Sequence, residues 1–309
     1  MASPAPQRVT VALDWAPNSN HVGLMVAKAK GWFAQANLEV IFVKPKDVAT
    51  ALASGEADFG VVSALTLAHS HATGGCPLKA LATVQQKQTS ALVSLRCTSA
   101  EAIATYAAYG ETWEREVVNA MRRAKCSTAL PAVAHASDGG DSWAALLAGQ
   151  ADAAWIFLGW EGVDAQAKGI KLHAFKPDDL GIPYPPGPLL AARAARLEGD
   201  AAETARAFLA AATRGYAFAC TQPEEASRLL VAEAKECGFH VELGLLAASM
   251  AYLASERALV DAQGVWGGHQ PQAVQAFVDW LASAGLVSAP LKAEAMLAHL
   301  ELATPGWDR

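Results

Sequence analysis

No run of about 18 consecutive apolar residues occurs in these 309 residues, so no segment is expected to span a bilayer as a helix. The longest apolar stretches are alanine-rich and broken by charge, as in "LLAARAARLEGDAAETARAFLAAATRGYAFA" (189–219). The opening "MASPAPQRVTV" has no basic segment followed by an apolar one. The expectation is therefore a cytoplasmic protein, or a periplasmic or extracellular one whose leader has been removed. Positive charge is nowhere concentrated: 24 Lys and Arg lie scattered among 30 Asp and Glu, for a net charge of −6. That sets nucleic-acid binding aside. The five cysteines (Cys76, Cys97, Cys126, Cys220 and Cys237) form no C-x-x-C pair and no Cys/His cluster with ligand spacing, so reduced structural thiols are expected and no metal centre. Catalytic signatures are missing too: there is no G-x-S-x-G, Walker loop, H-E-x-x-H or G-x-G-x-x-G. His69 and His71 lie two apart and would face different sides of a helix.

What is present is a strong apolar pattern, with 52% hydrophobic and 17% charged residues, enough for one large or two medium domains. "RVTVAL", "LEVIFVK" and "ADFGVVS" read as strands, separated by the helical segments "VGLMVAKAKGWFAQA" and "VATALASG". Such alternation predicts parallel βαβ units. "LKALATVQQ" and "SALVSLRC" add further strands, and "TYAAYG" precedes a helix expected over 111–124. "AVAHASDGGDSWAALLAG" predicts a strand, a glycine-rich turn and a helix capped by Asp141 or Ser142. Beyond about residue 198 the signals are almost entirely helical, with Val274, Phe277, Val278 and Leu281 along one helix face.

An internal echo organises this series. "ALASGEADFGVV" (51–62) and "ALLAGQADAAWI" (145–156) share A-L-x-x-G-x-A-D, with Gly55 and Gly149 at equivalent places. Each copy predicts a helix ended by a left-handed glycine, then an Ala-Asp step into a strand. Two lobes built alike follow, one inserted into the other. The crossings fall at "LVSLRCTS" and "IPYPPGPLL", giving a discontinuous lobe of 1–95 plus 188–309 and an inserted lobe of 96–187. In such folds a ligand is expected in the cleft between lobes, at the C-terminal ends of strands.

Two places carry binding chemistry by residue type. "LDWAPNSNH" (13–21) follows the first strand with an acid, an indole, a proline, two amides and an imidazole. These groups suit catalysis, ligand holding or simple turning of the chain. Glu161 follows "WIFLGW" at the end of another apolar strand, where a carboxylate can accept paired hydrogen bonds from an amino group and a ring N–H. Trp15, Trp113, Trp143, Trp155, Trp160 and Tyr184 fall near element ends and offer stacking faces for a flat ligand. The "DGGD" turn (138–141) reads as a simple loop.

"LDWAPNSNHVGLMVAKAKGWFAQANLEV" resembles the opening of the thiamin pyrimidine synthase-like proteins, within the type II periplasmic binding-protein class. "SGEADFGV" is similar to their G-x-x-D-x-G segment, and "TYAAYGETWEREVV" and "WEGVDAQAKGIKL" resemble bacterial members that bind thiamin pyrimidine precursors. The likeness spans about residues 8–195 and is strongest in the first 60. It implies a two-lobed α/β fold, each lobe a mixed, mostly parallel sheet flanked by helices, closing on a 4-aminopyrimidine of the formylaminopyrimidine or hydroxymethylpyrimidine type. By that resemblance Trp15 stacks on the ring, Glu161 receives its amino edge, Asn18 and His21 line the cleft, and Tyr109, Trp113 and Tyr184 contribute from across it. Asp14 beside Trp15 and Trp160 beside Glu161 join the candidate ligand-binding residues by residue type. An exported form would have an ABC permease as partner. The class also includes a fungal synthase that consumes its own histidine and holds pyridoxal phosphate on a lysine. The matching positions here are Val62 and Thr66, and neither side chain can supply that chemistry. A binding protein without cofactor is therefore the leading expectation. Its rivals are a synthase-like enzyme, or a binding protein for a sulfonate, nitrate or other small nitrogen compound.

Overall fold

The computed structural model describes residues 5–73, 75–108, 118–119, 132–135, 141–288 and 290–298. The chain divides into two compact units: Met1–Lys87, Pro185–Val278 and Ala289–Arg309 form the first, and Gln88–Tyr184 with Asp279–Ser288 the second.

The first unit contains β1 (Gln7–Ala12), α1 (Val22–Ala29), α2 (Trp32–Gln35), β2 (Leu38–Val43), α3 (Val48–Ser54), β3 (Phe59–Val62), α4 (Ala64–Ala72) and β4 (Leu78–Thr83). The second contains β5 (Ser90–Ser94), β6 (Thr105–Ala108), β7 (Ala132–His135), α5 (Ser142–Leu147), β8 (Ala153–Phe157), α6 (Val163–Ala167) and β9 (His173–Phe175). The chain then returns to the first unit as β10 (Leu189–Arg193), α7 (Gly199–Thr221), α8 (Pro223–Glu236) and α9 (Leu243–Ser255). Helix α10 (Pro271–Ser283) and the short α11 (Ala293–Met296) follow.

Among the described residues each unit holds one five-stranded sheet, in the order β2-β1-β3-β10-β4 and β7-β6-β8-β5-β9. In the first, β1 runs parallel to β2 and β3, while β10 is antiparallel to β3 and β4. In the second, β6 runs parallel to β7 and β8, while β5 is antiparallel to β8 and β9. Both are therefore mixed, mostly parallel sheets with one reversed strand in the same place. In each, the reversed strand comes from beyond a crossing. Residues 90–94 accordingly pair within the second sheet, whereas the sequence reading kept everything through 95 in the first lobe. A crossing strand reads the same for either sheet, and its hydrogen-bonded neighbours decide.

The echoed motif has the same job in both copies. Gly55 (φ 85°) and Gly149 (φ 70°) end α3 and α5 in the left-handed region that favours glycine. The Ala-Asp step then clamps the neighbouring strand. The Asp58 carboxylate accepts from Thr10 N–H at 2.8 Å, and Asp152 accepts from Thr105 N–H at 2.9 Å. An arginine from beyond the reversed strand completes each clamp: Arg196 on Asp58, and Arg96 on Asp152 at 3.1 Å. Burial by itself would raise the Asp152 pKa, but hydrogen bonds from Thr105 and Ala104 and the charge of Arg96 outweigh it and hold the carboxyl below its usual range.

The first unit's core is assembled from strand residues such as Val9, Val11 and Phe59 against Phe33 and Phe208. The Phe59 and Phe208 rings stack 4.3 Å apart. The stripe Val274, Phe277, Val278 and Leu281 is buried along its whole length. The second sheet covers one face with Leu92, Ile103, Tyr106 and Trp155, and the other with Val93, Trp143, Leu146 and Ile156.

Candidate functional site

Strand β1 ends in the segment the sequence singled out. Leu13 N–H still bonds Val43 O at 2.8 Å, and the chain then turns through 14–18 into a single 3₁₀ turn, Ser19–His21. Asn18 caps that turn: its Oδ1 accepts from Asn20 N–H at 2.9 Å, and its Nδ2 donates to Ala16 O at 3.2 Å. His21 returns the favour, its Nδ1 accepting from Asn18 N–H at 3.1 Å, the reciprocal arrangement in which Glu or Gln is the usual partner. A nitrogen that accepts from an amide carries no proton, so Nε2 holds it. That Nε2–H donates to Asp14 Oδ1 at 2.9 Å.

The loop is tied down from three further directions, all within the first unit. Tyr216 O–H donates to Asn20 O, Gln85 Nε2 donates to Asn20 Oδ1, and Ser249 Oγ donates to Ser19 Oγ at 2.8 Å. Tyr216 reaches Asn20 because α1 and α7 meet at two glycines. A Cβ on Gly215 would lie 1.8 Å from Gly23 O, and one on Gly23 would lie 2.2 Å from the Tyr216 ring. Only this close approach brings the hydroxyl under the loop. The Tyr216 ring stacks on Trp266 at 4.1 Å, and burial, with the charge of Asp14, raises its pKa.

Two side chains leave the loop for the surface. The Trp15 indole is 43% exposed, with the Lys44 ammonium 4.7 Å from its ring centroid. Lys44 and Trp15 are neighbours because β1 and β2 pair in parallel, with Ala12 opposite Val43. The Asp14 carboxylate is 37% exposed, whereas His21 is fully buried. The structure thus brings Asp14, Trp15, Asn18 and His21 together. Asn18 and both His21 nitrogens are occupied within the loop, leaving Trp15 and Asp14 as its side chains that reach the surface.

In the second unit β8 runs into one π-helical turn, Leu158–Gly162, which carries Trp160 and Glu161. Glu161 Oε2 accepts from Phe157 N–H at 2.9 Å. Burial pushes the Glu161 pKa up to about 7, against the lowering effect of the Phe157 and Glu161 amides and with the help of the Asp141 and Asp164 charges. Asp141 caps α5 by accepting from Trp143 N–H at 3.0 Å, and Asp164 accepts from Trp143 Nε1–H at 2.9 Å. Trp143 and Trp155 are core residues, 6% and 3% exposed, so neither offers a stacking face. Tyr184 packs beside the Leu92 and Ile103 cluster, with its ring 5.8 Å from that of Trp155. Tyr109, Trp113 and the helix expected over 111–124 fall, but for residues 118–119, outside the described residues, as do positions 138–140 of the glycine-rich turn.

Val62 is a buried strand residue, and the Thr66 hydroxyl is engaged 2.9 Å from Ser63 Oγ at the start of α4. Among the described residues no group of three or more His, Cys, Asp or Glu is placed to hold a metal ion. No helix among them is long and apolar enough to cross a membrane. The supporting residues Gln85, Tyr216 and Ser249, together with Lys44, escaped the sequence reading. Only Lys44 left a legible signal, since it ends the strand parallel to β1.

Two α/β sheets of this order define the periplasmic binding-protein fold. The periplasmic aliphatic sulphonate binding protein SsuA of Escherichia coli shares it with a TM-score of 0.65, at 17% identity over 99% of each chain. A protein of Bordetella bronchiseptica gives a TM-score of 0.70 at 18% identity over 95% of each. Within that fold the chain belongs to the NMT1/THI5-like family, whose model matches residues 18–226. A formylaminopyrimidine-binding protein of Halalkalibacterium halodurans is 25% identical over 300 residues, covering 93% of this chain and 88% of the relative.

Proposed function

We propose that this protein binds a thiamin-related 4-aminopyrimidine, of the formylaminopyrimidine or hydroxymethylpyrimidine type, for uptake, salvage or thiamin biosynthesis. The observation that carries this reading is the braced loop after β1, which holds an exposed indole beside a half-exposed carboxylate. A rigid element that presents one flat face and one acceptor suits a small heterocycle with N–H donors, because little freedom is lost on binding. Trp15 supplies the stacking face. Asp14 offers an acceptor to an N–H or O–H donor of the ligand; in the second unit, Glu161 is the candidate acceptor for an amino edge. Membership of the NMT1/THI5-like family and the formylaminopyrimidine-binding relative support the same ligand class. In an exported form the protein would hand its ligand to a membrane permease.

The sulphonate-binding protein of E. coli favours a second reading, in which the ligand is a small oxyanion. Two carboxylates among the candidate groups disfavour it, since unpaired like charges repel an anion. Calorimetric titration separates the two. Saturable binding of 4-amino-5-hydroxymethyl-2-methylpyrimidine or its formylamino analogue, with no heat from methanesulfonate, is the expected result. Binding of methanesulfonate alone would overturn the proposal.

A further inference from the structure

We propose that His21 is a positioning residue: its imidazole aims the Asp14 carboxylate beside Trp15 and does not itself touch the ligand. This rests on the ligand reading above. The ring is fully buried, and both nitrogens are spent on the loop, Nδ1 on Asn18 N–H at 3.1 Å and Nε2–H on Asp14 at 2.9 Å. A backbone amide therefore dictates the tautomer before any ligand arrives. With one oxygen anchored, Asp14 presents the other in a fixed direction; unanchored, a half-exposed aspartate would sample several rotamers in water. The loop does not depend on this one bond for its shape. Asn18 holds Asn20 N–H at 2.9 Å, Ser249 holds Ser19 at 2.8 Å, and Tyr216 and Gln85 hold Asn20. Losing the imidazole should therefore weaken binding more than it weakens the fold.

The substitutions that test this follow from the geometry. Glutamine at position 21 carries an acceptor and a donor on one carbon, as the imidazole does, and is a regular partner in such caps. Leucine carries neither. Affinity for 4-amino-5-hydroxymethyl-2-methylpyrimidine should fall roughly tenfold in His21→Leu, as for loss of a hydrogen bond to a charged group, and stay within about threefold in His21→Gln. In an Asp14→Asn background, His21→Leu should change affinity by less than about twofold, because coupled residues are not additive. The ¹⁵N spectrum of the free protein should show His21 protonated at Nε2 and bare at Nδ1. Equal losses in the Leu and Gln variants at matched melting temperatures, additive losses with Asp14→Asn, or an Nδ1–H tautomer would each overturn the positioning role. A wild-type protein that binds no aminopyrimidine would instead overturn the ligand reading, and this inference with it.

Discussion

The two units share a sheet order, a motif and a clamp, yet diverge immediately beyond the strand ends. Asp58 and Asp152 each receive an amide of the neighbouring strand and an arginine. The stretches that follow the strands carrying the motif differ. After β3, Ser63 caps α4 by accepting from Thr66 N–H at 3.0 Å. After β8, the chain makes a π turn in which the Glu161 carboxylate accepts from Phe157 N–H at 2.9 Å. What this divergence teaches is that the repeated motif is scaffold. It fixes strands by satisfying buried amides, and it leaves the chemistry to segments that are free to vary.

If so, clamp variants should cost stability and spare affinity, whereas loop variants should do the reverse. Asp152→Ala should have the largest effect, about 3 kcal/mol by chemical denaturation, because it strands the amides of Ala104 and Thr105, the Thr105 hydroxyl and Arg96. Asp58→Ala abandons fewer partners and should cost about 2 kcal/mol. Pyrimidine affinity of the folded fraction should survive both. Trp15→Ala should invert this pattern, with roughly tenfold weaker pyrimidine binding in a calorimetric titration, as for the loss of one stacking face, and an unchanged melting temperature. The two motif glycines separate more finely. Gly149→Ala meets nothing within 4 Å, so its cost is the left-handed backbone alone, about 1 kcal/mol. Gly55→Ala should cost more, since its Cβ would lie 3.1 Å from the Arg193 guanidinium.

A separate effect concerns pH. Glu161 titrates near 7 in the folded chain, above the ordinary carboxylate value of 4.5. A raised acid pKa favours the fold while the group is protonated. Its contribution is therefore full below about pH 4.5 and is lost as the pH rises through 7. Glu161→Gln should flatten that part of the stability profile, and no comparable step should arise at the β3 end. Neutral aminopyrimidines should bind the wild type more tightly as the pH rises from 6 to 8, and bind the Gln variant without that slope.

Much of this was legible in the sequence. Alternating apolar residues located β1, β2 and β3, the repeated Gly-x-Ala-Asp located the equivalent α3–β3 and α5–β8 joints, and the stripe from Val274 to Leu281 is buried as its spacing requires. The loop from Asp14 to His21 was legible because its residue types are so unlike the strand before it. Its partners were not. Gln85, Tyr216 and Ser249 come from 65, 196 and 230 residues away along the chain, a separation on which local pattern is silent. The same silence hid the internal use of Asn18 and His21, which the sequence counted among ligand contacts. It also hid the burial of Trp143 and Trp155, since a tryptophan near an element end can face either way.

The central claim is that Trp15 is the stacking face for an aminopyrimidine. A crystal structure of the protein grown with 4-amino-5-hydroxymethyl-2-methylpyrimidine tests it most directly. The account predicts the pyrimidine ring parallel to the Trp15 indole; a ring bound elsewhere, with Trp15 bare, would contradict it.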